Sequence, residues 1–404
     1  MSAPRLPAFS VFAAFLAAAG LPIYIHAPKF YVDEYGVSLT LLGTVLFALR
    51  LIDVVQDPLL GRLAARTQGW RAPSVLIAGA AMVIAMLGLF AVTPPIAPVW
   101  WFAIMLTVVF SGFSYLTICF YAQGVSSASA LPEAGHLRLA RWRETGALLG
   151  ICAASVAPVL VGGYGGFALG FAILGAVALA VMWGQWGRAP IPSEGFGPIL
   201  RDAMSRRLLL IALVNAAPVA VSSTLFLFFV ESRLGAPGWE GPLLLLFFLS
   251  AALAAPAWGR AAERWGAKRT LLGAMVLAIA AFGWAALLST GDTWAFAAVC
   301  VVSGAAVGAD LTLLPAIFAR RMSEIAPGAS EGFGLWSFVS KLTLALAAAV
   351  LLPALEAGGF EAGGQNDAAA LSLLTLLYCA VPCALKLVAI GLLATTPMPE
   401  GKAA

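Results

Sequence analysis

The chain has 404 residues, of which 62% are hydrophobic and only 10% charged, and its mean hydropathy is +0.96. A soluble domain carries about 25% charged residues, so this composition excludes a soluble globular protein and specifies an integral membrane protein with no sizeable extramembrane domain. The formal net charge of +4 gives no reason to expect nucleic-acid binding, because the basic residues follow membrane topology.

A span of the hydrocarbon core needs about 20 apolar residues. Twelve stretches meet that requirement: 7–32, 38–61, 73–93, 98–127, 143–162, 165–187, 207–230, 240–259, 269–290, 293–318, 332–354 and 368–396. The expected fold class is therefore an all-α membrane protein of twelve transmembrane helices. The first span contains Ala17-Ala18-Ala19-Gly20, which imitates a leader-cleavage site. The apolar run continues to Tyr31, so an uncleaved helix is expected. With both termini in the cytoplasm, Arg62, Arg66, Arg71, Arg138, Arg141, Arg260, Arg264, Lys268, Arg320 and Arg321 fall on the inner side and only Lys29 and Arg233 outside. That asymmetry obeys the positive-inside rule and fits a bacterial inner membrane.

The second span, 38–61, is the unusual one, since it holds Arg50, Asp53 and Asp57. A charge at bilayer depth costs on the order of 3 kcal/mol, so three on one helix point to function. Their spacings of three and four residues share a helical face over roughly 6 Å or more of rise. Two carboxylates so placed suit one small cation. Pro58 has no N–H for the carbonyl of Val54, which is left for a ligand or water. A self-neutralised knot gluing helices together is the structural alternative. The five cysteines all lie within spans; Cys379 and Cys383 are one turn apart without a histidine or third thiol, so no metal centre is expected there.

Gly61-Arg62-Leu63-Ala64-Ala65-Arg66 follows the second span, and Gly259-Arg260-Ala261-Ala262-Glu263-Arg264 follows the eighth, at an offset of 198 residues. This is a parallel repeat of two six-helix halves, 1–187 and 207–404, joined by a Pro- and Gly-containing cytoplasmic linker, 188–206. The loops resemble the gating signature of the major facilitator superfamily, placing Gly61, Arg66, Gly259, Glu263 and Arg264 in gating loops. The acid of that signature is Ala65 in the first copy and Glu263 in the second.

Within that superfamily, Arg50-x2-Asp53-x3-Asp57-Pro58-x2-Gly61 resembles the helix-2 motif of the glycoside-pentoside-hexuronide:cation symporters, the family of the melibiose permease. Arg143 to Gly150 resembles its helix-5 start, Gly304 to Pro315 its helix-10 pattern, and Gly334-Leu335-Trp336-Ser337-Phe338-Val339-Ser340-Lys341 its helix 11. The resemblance implies a secondary cation:solute symporter that works by alternating access. It implies a cation and coupling site at Asp53, Asp57, Thr117 and Lys341, and a solute site drawn from Arg50, Tyr121, Gln123, Arg143 and Trp336. The two acids that grip sugar hydroxyls in the melibiose permease fall at Ala17 and Thr117, so a galactoside is not expected.

Arg50, Arg143 and Lys341 against Asp53 and Asp57 leave a surplus positive charge that favours an anionic solute, provided Glu144 points away. Sodium, held by the metal ligands Asp53 and Asp57, and a proton both remain open. Lys386 has no evident partner in the sequence and is expected to snorkel to an interface. Asp310 reads equally as a packing group or a cavity residue, and Asn215 as a helix-packing group or a ligand. Trp336 is expected to pack. The expected partners are a small polar or anionic solute, a monovalent cation and the lipid bilayer, for a monomer with no organic cofactor. A lipid or amphiphile carrier and a non-transporting sensor are the competing functions; an enzyme is disfavoured, because no nucleophile-base pair or metal cluster appears.

Overall fold

A computed structural model describes residues 4–131, 135–187, 195–326, 329–361 and 366–397. Among them there are helices and no strands: α1 Leu6–Ala18, α2 Leu21–Tyr35, α3 Leu39–Arg66, α4 Arg71–Phe90, α5 Pro98–Ser129, α6 Gly135–Leu160, α7 Tyr164–Met182, α8 Gly197–Arg201, α9 Ala203–Phe228, α10 Glu240–Trp265, α11 Ala267–Ala285, α12 Thr293–Ile325, α13 Ser330–Ala357, α14 Ala368–Thr375 and α15 Val381–Ala394. Nine helical segments among the described residues are long and apolar enough to cross a membrane. The other three expected spans coincide with α1 and α2, with α3 and with α6; the last two carry the charges that lower their hydropathy.

The first expected span is corrected. It is not one helix, because the chain breaks at Ala19-Gly20 and α2 starts afresh with a proline in its first turn. Pro22 has no N–H to donate, and inside a continuous helix its ring would clash with the carbonyl of Ala18. The expected linker also holds more structure than a loop. It contains α8, whose Ile199 is buried, and Asp202 accepts two bonds from Arg321, at 3.1 and 2.5 Å.

The chain packs as two compact units, residues 1–202 with 318–338 and residues 203–317 with 339–404. In the first unit, Phe9, Phe12 and Phe15 of α1 interlock with Phe120, Phe171 and Trp186, ring centroids 5.0 to 5.5 Å apart. Glycine makes the tight part of this packing possible: a Cβ on Gly146 or Gly150 of α6 would lie 2.2 and 2.5 Å from the carbonyl oxygens of Ser10 and Ala14. In the second unit the core gathers around Tyr378, stacked on Phe229 at 4.2 Å, where α9 and the chain before α15 each pass through a π-helical turn. Gly304 and Gly308 of α12 sit equally close to the α10 backbone at Phe247 and Ala251.

Helix α3 shows why such a sequence belongs in lipid. Phe47, Leu51, Val55, Leu59 and Leu63, one turn apart, are exposed, whereas Leu42, Leu49, Asp53, Asp57 and Ala64 are buried. The apolar stripe faces outward and the acids inward, the reverse of a soluble amphipathic helix.

Candidate functional site

The inward face of α3 supplies the first elements of the site. Asp53 is 5% exposed and Asp57 fully buried. Gln56, between them in sequence, donates from Nε2 to Asp53 Oδ1 at 2.6 Å and accepts from the Ser111 hydroxyl of α5 at 3.0 Å. Asp57 accepts from the Ser337 hydroxyl of α13 at 2.6 Å. That bond is reached through a close approach of two backbones. A Cβ on Gly61 would meet the Ser330 carbonyl at 3.1 Å and the Gly334 Cα at 3.2 Å, and one on Gly334 would meet the Asp57 carbonyl at 3.0 Å. Gly61 is thus a packing contact of α3 with α13, in addition to its place in the repeat.

A second cluster lies between α5 and α6. Arg143 and Glu144 are 3% and 5% exposed, and Arg143 Nε donates to Glu144 Oε1 at 2.7 Å. The Tyr121 hydroxyl donates to the same oxygen at 3.1 Å, and the guanidinium lies 3.8 Å from the centroid of the Tyr121 ring. Arg143 Nη2 is buried and has no hydrogen-bond partner among the described residues. Glu144 therefore does not point away, and the charge argument for an anionic solute is corrected. Counting it, Asp53, Asp57 and Glu144 balance Arg50, Arg143 and Lys341. The cluster still offers the unspent Nη2 amino group of a preorganised, stacked guanidinium.

The remaining expected residues divide. Thr117 is one turn from Tyr121 on α5; its hydroxyl is buried and meets no hydrogen-bond partner among the described residues. Gln123 is used internally, donating to the Ser126 and Ser127 hydroxyls and accepting from the Gly187 N–H at 2.9 Å. Trp336 packs on Phe318, 4.8 Å between centroids. Lys341 is on α13 one turn beyond Ser337, in the part of that helix that packs with the second unit. Arg50 is on α3, and its side chain lies outside the described residues. Of the gating-loop residues, Gly259 is buried, Glu263 half-buried, and Arg66 and Arg264 exposed.

Lys386 is the second correction. It does not snorkel: it is 2% exposed, and its ammonium donates to Asn215 Oδ1 at 2.8 Å and to Asp310 Oδ2. Sequence reasoning also passed over Arg71, which is buried and donates to Cys119 Sγ at 2.7 Å and to the Ser330 hydroxyl at 3.2 Å. Beside it Tyr115 links the Ser74 and Thr67 hydroxyls. The signal available was a basic residue opening an apolar helix. Near the same end of the first unit, burial and then Arg320 push the His136 imidazole down to about 4, with Glu324 opposing and Arg143 adding.

The family model described as MFS/sugar transport protein matches residues 8–400. The chain belongs to this family of the major facilitator superfamily. No curated protein sequence matches it. Solved structures share the fold at low identity. A bacterial homologue of the iron transporter ferroportin in the outward-facing state has a TM-score of 0.71 at 13% identity, covering 97% of this chain and 99% of that one. The E. coli fucose:proton symporter FucP has 0.68 at 14%, covering 95% and 98%. The human organic anion transporter MFSD10 has 0.63 at 15%, covering 96% and 98%. The transporter fold and multi-pass membrane embedding follow.

Proposed function

We propose that this facilitator is a secondary active cation:solute symporter that imports a small polar solute of the sugar or sugar-acid class across a bacterial inner membrane, both termini being cytoplasmic. The observation that carries the reading is the pair of buried carboxylates, Asp53 and Asp57, one turn apart on the inward face of a helix whose other face is apolar. A carboxylate pair at that depth is retained where it binds or moves charge. The coupling ion is a proton or sodium, and the family resemblance assigns Lys341 to the coupling, so that cation entry and solute entry favour each other by linkage. Arg143, stacked on Tyr121 with its Nη2 amino group unused, supplies the donor that orients a solute oxygen. The full charge balance admits neutral sugars as well as acids.

The test is solute counterflow and gradient-driven uptake in liposomes, with sodium or proton gradients imposed separately, for wild type and for Asp53→Asn and Asp57→Asn. Each substitution keeps size and a hydrogen-bonding amide while removing one charge. Loss of accumulation against a gradient in both, with folded protein still in the membrane, is expected. Concentrative uptake at the wild-type level by both variants would refute the cation-site assignment.

A further inference from the structure

Asn215 on α9, Asp310 on α12 and Lys386 on α15 form a polar triad inside the second unit. They are 4%, 8% and 2% exposed. By position they share one level: Asn215 is eight residues from Arg207, Asp310 eight from Phe318, and Lys386 ten from Thr396. At 1.5 Å per residue this is about 12–15 Å from the inner ends of their spans, close to the middle of a core roughly 30 Å thick.

The triad is incompletely satisfied. Lys386 bonds both Asn215 Oδ1 and Asp310 Oδ2, but Asp310 Oδ1 is buried with no partner among the described residues. A buried ion pair contributes little net stability even when all its groups are bonded, and a bare carboxylate oxygen carries an uncompensated desolvation cost. If the purpose were only to hold three helices together, neutral hydrogen-bonding side chains in place of both the acid and the ammonium would serve without that cost. The open oxygen asks for a donor. Sodium needs several oxygen ligands, whereas here the Asn215 oxygen is already taken and an ammonium stands alongside; a proton needs one oxygen only.

We infer that Asp310, Lys386 and Asn215 form a proton-binding latch in the second unit, distinct from the α3 carboxylates. A proton bonds to Asp310 Oδ1, no other bond is made or broken covalently, and the triad goes from neutral to a single positive charge on Lys386. The Lys386–Asp310 contact then changes from an ion pair to a hydrogen bond between a charged donor and a neutral acid. The electrostatic hold between α12 and α15 weakens, while the Lys386–Asn215 bond between α15 and α9 persists. The other titratable or charged groups on the helices that carry it or pack against it are Cys300, Arg320, Arg321 and Glu324 on α12, Cys383 on α15, which approaches the Ile279 carbonyl of α11, Glu331, Lys341 and Glu356 on α13, Glu240, Arg260, Glu263 and Arg264 on α10, Arg206 and Arg207 at the start of α9, and Lys268 and Arg269 at the start of α11. Of these, Arg207 and Lys268 are bonded to the chain end after α15.

Infrared difference spectroscopy of protein in lipid vesicles, taken between alkaline and acidic buffer, reads protonated carboxyl groups directly. Wild type labelled with carbon-13 aspartate is expected to show a protonated-aspartate band on acidification. Asp310→Asn should lose one carboxyl equivalent of it, and Asp53→Asn with Asp57→Asn should retain that component. Because Asp310→Asn strands a buried ammonium, Asp310→Asn combined with Lys386→Gln removes both charges and should show the same loss in a protein that folds. Sodium should leave the Asp310 component unchanged. A band of wild-type intensity in the double variant, or an Asp310 component displaced by sodium, would overturn the inference. The readout needs no transport, so failure of the α3 cation site leaves it standing and its own failure leaves that site standing.

Discussion

Replacing Glu144 by glutamine is the most informative single change in the first unit, because it removes the negative charge beside Arg143 without altering the shape of the cluster. The glutamine carbonyl can still accept from Arg143 Nε and the Tyr121 hydroxyl, at the 2.7 and 3.1 Å positions now held by Oε1. The Tyr121 ring, 3.8 Å from the guanidinium, keeps the arginine in place; a desolvated stack of this kind contributes about 2 kcal/mol. What is lost is the charge of the acceptor. Hydrogen bonds to charged groups contribute about 1.5–3 kcal/mol and neutral ones about 0.5–1.5, so the guanidinium gains about 1–2 kcal/mol of unspent attraction for an incoming anion, a factor of ~5–30. Glu144→Gln should therefore shift selectivity toward acidic sugars. The assay is competition between matched hexuronate and hexose pairs for binding to the purified protein, read as the ratio of their affinities in variant and wild type. An unchanged ratio, or one moving toward the neutral sugar, would show that Arg143 does not meet the solute.

Lys341→Ala should uncouple the cycle, giving downhill exchange of solute without accumulation, because the family resemblance assigns Lys341 to the coupling of cation and solute; normal coupling in liposomes would contradict this. Gly150→Ala should lower the midpoint of thermal unfolding, since its Cβ would lie 2.5 Å from a carbonyl oxygen and 2.6 Å from a Cα of α1, and overpacking of this kind costs about 1–3 kcal/mol. Gly170→Ala, whose Cβ meets nothing within 4 Å, is the control and should not lower it. For His136 the folded-state value of about 4 lies below the ordinary 6.5, so the unfolded chain binds the extra proton. The stability that goes with the neutral ring is complete above about pH 6.5 and is lost as pH falls toward 4. His136→Gln should flatten the fall in melting temperature over that window, and an unchanged slope would refute the assignment.

Much of the first unit was legible because its chemistry contradicts its surroundings. Asp53 and Asp57 stand out in an apolar run, and the face they occupy follows from a period of 3.6 residues. The break before α2 was equally visible as Gly20-Leu21-Pro22, yet a hydropathy reading averages across it and reports one span. The orientation of Glu144 stayed open in the sequence for a different reason. Adjacent residues on a helix do not face each other, but the arginine stem is long enough to bring Nε to its neighbour's carboxylate while the guanidinium stacks on Tyr121. The Lys386 partners lie 171 and 76 residues away, beyond any local pattern. Only their shared depth in three spans could have suggested them.

The internal repeat bears on whether the α3 acids are structural. At the offset of 198 that relates Gly61 to Gly259, Asp53 and Asp57 correspond to Ala251 and Ala255 on α10, and both alanines are fully buried. The same inward face is therefore packed in the second half with no charge at all. Ala251 there meets the glycine stripe of α12 at Gly308, a contact of small residues of the kind that drives helix association in lipid. Packing thus requires small buried side chains at these two positions and does not require acids. The reverse holds for two members of the triad: Asn215 corresponds to Ala17 and Asp310 to Gly112, whereas Lys386 falls at Arg188. Apart from that last pair, each half keeps the frame of the other and carries polar groups where its counterpart carries small apolar ones. That the fold itself can dispense with such charges, at a cost on the order of 3 kcal/mol each at bilayer depth, supports the binding roles proposed for them.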